Sequence, residues 1–239
     1  MTTPLPRPSI TATRVIACCL GLSTAATCAW AGRPLATEDA GVNAQAYCQL
    51  EVWIDHGNNV KHGHFAPACG VLDGLELGAE WDAPTPSYVD PKGTSASLKW
   101  SPESWNWNGW RFGAKTNVLH ERQPGASANQ FRSWSATAIA SYPYDYHWTF
   151  HFNVGHIQDR LTDTQLRSYG GAVVYAIDDR TQVFAEINGN SRSPATQAVG
   201  LRWWFIPETL GLDVTTSRTN ATTQSQTWGI GFGWYGLHF

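Results

Sequence analysis

The sequence predicts an all-β chain, a transmembrane antiparallel up-and-down β-barrel of twelve strands. Three observations predict it. Apolar and polar residues alternate with a two-residue period over most of residues 46–239, 13 tryptophans and 22 glycines accompany only 15% charged residues, and the connecting segments sort into short and long. Such alternation places one strand face in an apolar medium and the other in a polar one. An aromatic-rich chain without a helical period suits a barrel with lipid outside.

Residues 1–31 precede that pattern. They carry Arg7 and Arg14, no acid, the apolar run VIACCLGLSTAATCAWA and a small-x-small end at Ala29-Trp30-Ala31. A cleaved secretory signal peptide is expected, because the run is short and interrupted by Ser23 and Thr24. Residues 32–239 then form one barrel domain, and the formal charge of −3 becomes more negative when the two arginines leave. Of five cysteines only Cys48 and Cys69 remain. An even pair in an exported chain is expected to form a disulfide joining the periplasmic ends of the first two strands. No histidine or further cysteine lies near them at zinc-like spacing, so neither metal nor cofactor is expected.

The elements follow in order. CQLEVWID (48–55) sets Cys48, Leu50, Val52 and Ile54 against Gln49, Glu51, Trp53 and Asp55. LELGAEWD (75–82) sets Leu75, Leu77, Ala79 and Trp81 against Glu76, Glu80 and Asp82, and in WRFGAKTNV (110–118) Trp110, Phe112, Ala114 and Val118 oppose Arg111, Lys115 and Asn117. Strands are expected at 46–55, 61–69, 73–83, 93–101, 109–119, 131–142, 146–156, 167–177, 181–189, 195–206, 209–217 and 226–239. Gly63 and Pro67 weaken the second, which leaves ten strands as the alternative.

Short connections are expected at 70–73, 143–145, 178–180 and 207–209, with a Trp-rich exception at 101–108. Long polar ones are expected at 83–92, 120–130, 156–166, 188–195 and 217–226. Membrane barrels have short periplasmic turns and longer external loops. Roughly 17 residues per strand and connection suffice for the 9–11 that cross a bilayer. The last strand, TWGIGFGWYGLHF, ends on Phe239, a terminal aromatic through which the barrel-assembly machinery is the expected partner. Trp228, Ile230, Phe232 and Trp234 run out of phase with Tyr235, Leu237 and Phe239, so a bulge is expected near 235.

A resemblance agrees with this pattern. GRPLATEDAGV, then YCQLEVWIDH and FAPACG, together spanning residues 32–70, resemble the outer-membrane proteins grouped as the MetA-pathway of phenol degradation family. The resemblance implies an outer-membrane barrel and transport of small, often aromatic, compounds. It brings no catalytic residue with it.

In HWTFHFNV (147–154) a lipid-facing set of Trp148, Phe150, Phe152 and Val154 leaves His147, Thr149, His151 and Asn153 to the lumen. A three-residue turn at 143–145 places His147 opposite Ser141 and His151 opposite Thr137. Serine beside histidine raises a hydrolase reading, but a lipid hydrolase needs a lipid-accessible nucleophile and no motif supports one, so the chain is not expected to be an enzyme. The two histidines stand roughly 13 Å apart on a strand, too far to share a metal.

The expected solute pathway is lined by Glu51, Asp55, Glu76, Glu80 and Asp82, by Lys99, Arg111 and Lys115, and by His147, His151, Arg202 and Asp213, with Glu186 further round. These charges would either set a transverse field across a water-filled pore or pair and close it. Twelve strands lie between the eight that side chains fill and the sixteen that leave a channel. The expected function is a bacterial outer-membrane barrel, in contact with lipid, that passes small solutes. Its alternatives are a closed barrel with a structural or surface role and a soluble periplasmic binder. A negative chain without a basic cluster or a phosphate-cradling glycine loop gives no nucleic-acid partner.

Overall fold

The computed structural model describes residues 35–220 and 225–239; the expected signal peptide lies outside the described residues. Twelve antiparallel strands follow one another around a closed barrel: β1 (Tyr47–Gly57), β2 (Val60–Leu72), β3 (Leu75–Thr85), β4 (Lys92–Trp100), β5 (Arg111–Arg122), β6 (Gln130–Pro143), β7 (Trp148–Asp159), β8 (Thr164–Ala176), β9 (Thr181–Asn190), β10 (Thr196–Ile206), β11 (Leu210–Thr219) and β12 (Ser225–His238). β12 returns to pair with β1, so no strand edge is left open. The second strand forms despite Gly63 and Pro67, and the count is twelve rather than ten. We call the end carrying the start of β1 and the end of β12 the near end.

The strand faces follow the alternation. Val52, Ile54, Trp81, Trp148, Phe152, Val154 and Trp203 point outward and are exposed, whereas Glu51, Glu76, Lys99, Asn153, Glu186, Arg202 and Asp213 point inward and are buried. An apolar outside around a polar inside is the arrangement of a barrel in lipid.

The far-end connections are shorter than expected: 58–59, 86–91, 123–129, 160–163 and 191–195, while the longest connection, 101–110, is at the near end. The polar segments read as loops are largely strand. Gln158 pairs with Gln165 and Asp159 with Thr164, because hydrogen-bonded ladders need no apolar side chains beyond the lipid. Near-end turns are held by aspartates. Asp178 accepts the Arg180 and Thr181 N–H groups at 2.8 and 2.7 Å, and these bonds, Arg180's foremost, hold its carboxyl below the usual range.

Three sequence details are resolved. Cys48 and Cys69 are cross-strand partners joined by a disulfide at the near end. The expected bulge lies between the Leu50–Trp234 and Cys48–Leu237 pairs, at Gly236 with φ +73°. Tyr235, 1% exposed, keeps the inward phase of Gly231 and Gly233, and the bulge after it returns Leu237 to the phase of the outer face. The β6–β7 turn is longer than three residues: Asp145 Oδ1 accepts the His147 and Trp148 N–H groups, and Pro143 pairs with Thr149. His151 therefore stands opposite Ser141 rather than Thr137. Because that shift is even, each face is kept.

Val154 lies mid-strand on the outer face and is 65% exposed. Val154→Arg is expected to lower folding stability in lipid vesicles by about 2–4 kcal/mol, measured by urea titration, as for a charge placed at the bilayer midplane.

Candidate functional site: a lumen partly filled by the chain's own N-terminal segment

Residues 35–46 precede β1 and turn back into the barrel. The entry is at Gly70, where Gln45 forms a parallel bridge and the Ala46 N–H donates to the Gly70 carbonyl at 3.0 Å. A Cβ on Gly70 would lie 2.2 Å from the carbonyl oxygens of Asn43 and Ala44, so only glycine lets the segment pass this close. Thr37, Asp39 and Asn43 are 2%, 1% and 0% exposed.

The segment forms no regular ladder with the wall, so its backbone donors need side-chain acceptors. Glu186 on β9 accepts from Ala36 N at 3.0 Å and Thr37 N at 2.9 Å. Asn153 on β7 accepts from Glu38 N at 2.7 Å and donates through Nδ2 to the Glu38 carbonyl at 2.8 Å. Ser141 on β6 accepts from Ala40 N at 2.9 Å, and Glu76 on β3 accepts both the N–H and the side-chain amide of Asn43 at 2.8 Å. The wall bases meet the segment's acids: Lys99 Nζ lies 2.8 Å from Asp39 and 3.6 Å from Glu38, and Lys115 also bonds Glu38. Lys99 and Lys115 thus find their acids on a third element, the segment, whereas Arg202 and Asp213 pair from wall to wall.

The near half also holds a second cluster. Tyr235 donates to Glu51 Oε1 at 2.6 Å. Arg202 packs its guanidinium 5.0 Å from the Trp204 ring centre and 5.5 Å from that of Tyr235, with Asp213 Oδ2 at 3.6 Å. Glu51, Glu76, Lys99, Lys115, His151, Arg202 and Asp213 therefore face the lumen, yet all seven are engaged in filling it. Arg111 sits half-buried at the near end of β5, opposite Ser141.

His147 is the member of the expected pathway that lies elsewhere. It is exposed in the near-end turn, its Nδ1 2.7 Å from the Ala176 carbonyl, because the longer turn consumes it. Ser141 and His151 do meet, with Oγ to Nδ1 at 2.8 Å. Both are buried under Ala40, whose N–H occupies the hydroxyl, so the pair works as an anchor for the segment and is shielded from lipid.

Alongside the segment and on toward the far end the lumen holds a cavity of about 730 Å³, lined by Glu38, Glu76, Lys99, Trp53, Asp55, His64, Glu80 and Asn188 among others. Its far-end wall on β1–β3 carries Asp55, Glu80 and His64, with His62 and Asp82 bonded to each other beside them; neither histidine was expected in the pathway. The signal was present as His-x-His on one strand face.

A closed twelve-strand barrel with an apolar exterior and a polar, cavity-bearing lumen is the porin type of fold, and solved structures of that type superpose on it. The KdgM porin in complex with disordered oligogalacturonate matches with TM-score 0.64 at 9% identity, over 78% of this chain and 98% of its own. The NanC porin matches with TM-score 0.59 at 9% identity, over 80% and 100%. The Acinetobacter baumannii outer membrane protein Omp33 gives 0.52 at 10%, over 81% and 99%. No known family's sequence profile and no curated protein matches the chain.

Removing the carboxylate of Glu186 strips two segment amides of their acceptor, a charged bond type contributing about 1.5–3 kcal/mol. In Glu186→Ala, amide hydrogen exchange at Ala36 and Thr37 is expected to quicken at least ~10-fold, with mid-strand amides of β9 unchanged. Equal protection in both proteins would show that the segment is held in another way.

Proposed function

We propose that this chain is a bacterial outer-membrane barrel that admits small neutral or positively charged solutes, with residues 35–43 as the constriction of its lumen. The observation that supports it most is a cavity of about 730 Å³ left in a polar lumen that a hydrogen-bonded segment only partly fills. A core built only for stability would be apolar; this one is charged and keeps an open vestibule. The solute class follows from the walls. Glu38, Glu51, Asp55, Glu76, Glu80 and Glu186 line the cavity against Lys99 and Lys115, and a cleft in which one sign of charge predominates concentrates the opposite sign. An acidic oligosaccharide such as the one bound by KdgM would be repelled here. The Trp53 indole, stacked on His64 at 4.3 Å, adds a flat apolar surface consistent with the small aromatic compounds implied by the resemblance of residues 32–70. Insertion by the assembly machinery through the β12 strand completes this reading.

The second reading is a permanently closed barrel, and the buried Lys99–Asp39 pair favours it. Breaking such a pair on one side costs about 3–5 kcal/mol.

Planar-bilayer recording separates the two. The protein is expected to give small conductance steps, and a variant lacking residues 35–43 steps several-fold larger. Glu80→Lys in that background is expected to shift selectivity from cations toward anions. A deletion variant that is inserted but electrically silent would establish the closed barrel.

A further inference from the structure

The far-end vestibule contains a cluster that solute passage does not require. His62 and His64 lie two residues apart on β2, on one face, and Asp82 on β3 is the cross-strand partner of His64. One donor atom from each of the three lies within 4.8 Å of the others. Asp82 Oδ1 is the hub, 2.9 Å from His62 Nδ1 and 3.8 Å from His64 Nε2. Asp55 Oδ2 is 3.6 Å from the same His64 Nε2, close enough to supply a fourth oxygen.

The remaining ring nitrogens are what distinguish this cluster from a chance group of polar side chains. His62 Nε2 meets Asp90 at 3.0 Å, and His64 Nδ1 meets Glu80 at 3.0 Å. Each imidazole thus turns one nitrogen to a common centre and has the other oriented by a carboxylate. Metal-bound histidines are held in this way, since the outer carboxylate fixes the tautomer and raises ligand basicity. Trp53, stacked within 5° of the His64 plane, restricts that ring further. Both histidines and Asp82 sit on paired strands, and the three side chains are only half-buried, so an ion has rigid ligands and an open approach from the far end.

We propose that His62, His64 and Asp82 bind a divalent transition cation of the zinc class at the far-end mouth of the lumen. Two imidazoles and a carboxylate suit Zn²⁺ and its neighbours, whereas Mg²⁺ and Ca²⁺ prefer oxygen alone. Four carboxylates, Asp55, Glu80, Asp82 and Asp90, surround two imidazoles, a surplus of negative charge that one divalent cation offsets. The proposal rests on this cluster alone and stands whether the lumen conducts or is closed.

The test is calorimetric titration of ZnCl₂ into the folded protein in detergent, with excess Mg²⁺ present. One Zn²⁺ per chain is expected. His62→Gln and His64→Gln should each weaken uptake by more than ~100-fold, and Glu80→Gln, which touches only the orienting carboxylate, by about 10–100-fold. Co²⁺ titrated into the unaltered protein should give the visible bands of a low-coordinate nitrogen–oxygen site, a readout independent of how the variants fold. No uptake, uptake undiminished in the histidine variants, or displacement of Zn²⁺ by Mg²⁺ would each overturn the proposal, the last by reducing the cluster to an acidic rim.

Discussion

Most of the lumen is organised by one constraint: a stretch of backbone without a sheet partner has been taken out of bulk water. Residues 35–43 carry N–H groups that must each find an acceptor, and two acids that must each find a base. The wall meets both needs with side chains from β3 to β9: Glu76, Lys99, Lys115, Ser141, Asn153 and Glu186. Five of these six bond to residues within 36–40, so the segment has one address along the barrel. The same demand explains why Ser141 and His151 are a dead-end pair here, with the hydroxyl already committed to a backbone amide.

The two halves of the lumen consequently differ in kind. At the near end, ion pairs, Tyr235, Trp204 and Arg202 occupy the space, and charge is matched locally. Toward the far end no segment intrudes among the described residues, and Asp55, Glu80, Asp82 and Asp90 have histidines as their partners. On the function proposed above, a solute arriving from the far end would meet acidic side chains and Trp53 before it meets the segment.

The strands and their faces were legible because lipid and water impose the period directly. Alternation places all the strands but the second, which Gly63 and Pro67 left doubtful, and even the bulge at Gly236 announces itself as a phase change in TWGIGFGWYGLHF. What was not legible depends on register and on partnership. The β2–β3 ladder starts from Leu72–Leu75 and shifts at Gly70, and only that irregularity brings His64 opposite Asp82. The β6–β7 turn gained residues through Asp145, which moved His151 to Ser141. The inserted segment left no periodic trace, because its partners are scattered from residue 76 to residue 186.

The central claim is the position of that segment, and a designed cross-link tests it most directly. A Cβ on Gly170 would stand 3.5 Å from the Thr37 Cβ, within the span of a disulfide. Thr37→Cys combined with Gly170→Cys should oxidise without added catalyst in the folded barrel, and mass spectrometry should find the new 37–170 link beside the native 48–69 one. Free thiols at both positions, labelled readily by a maleimide, would contradict the account and place the segment outside the lumen.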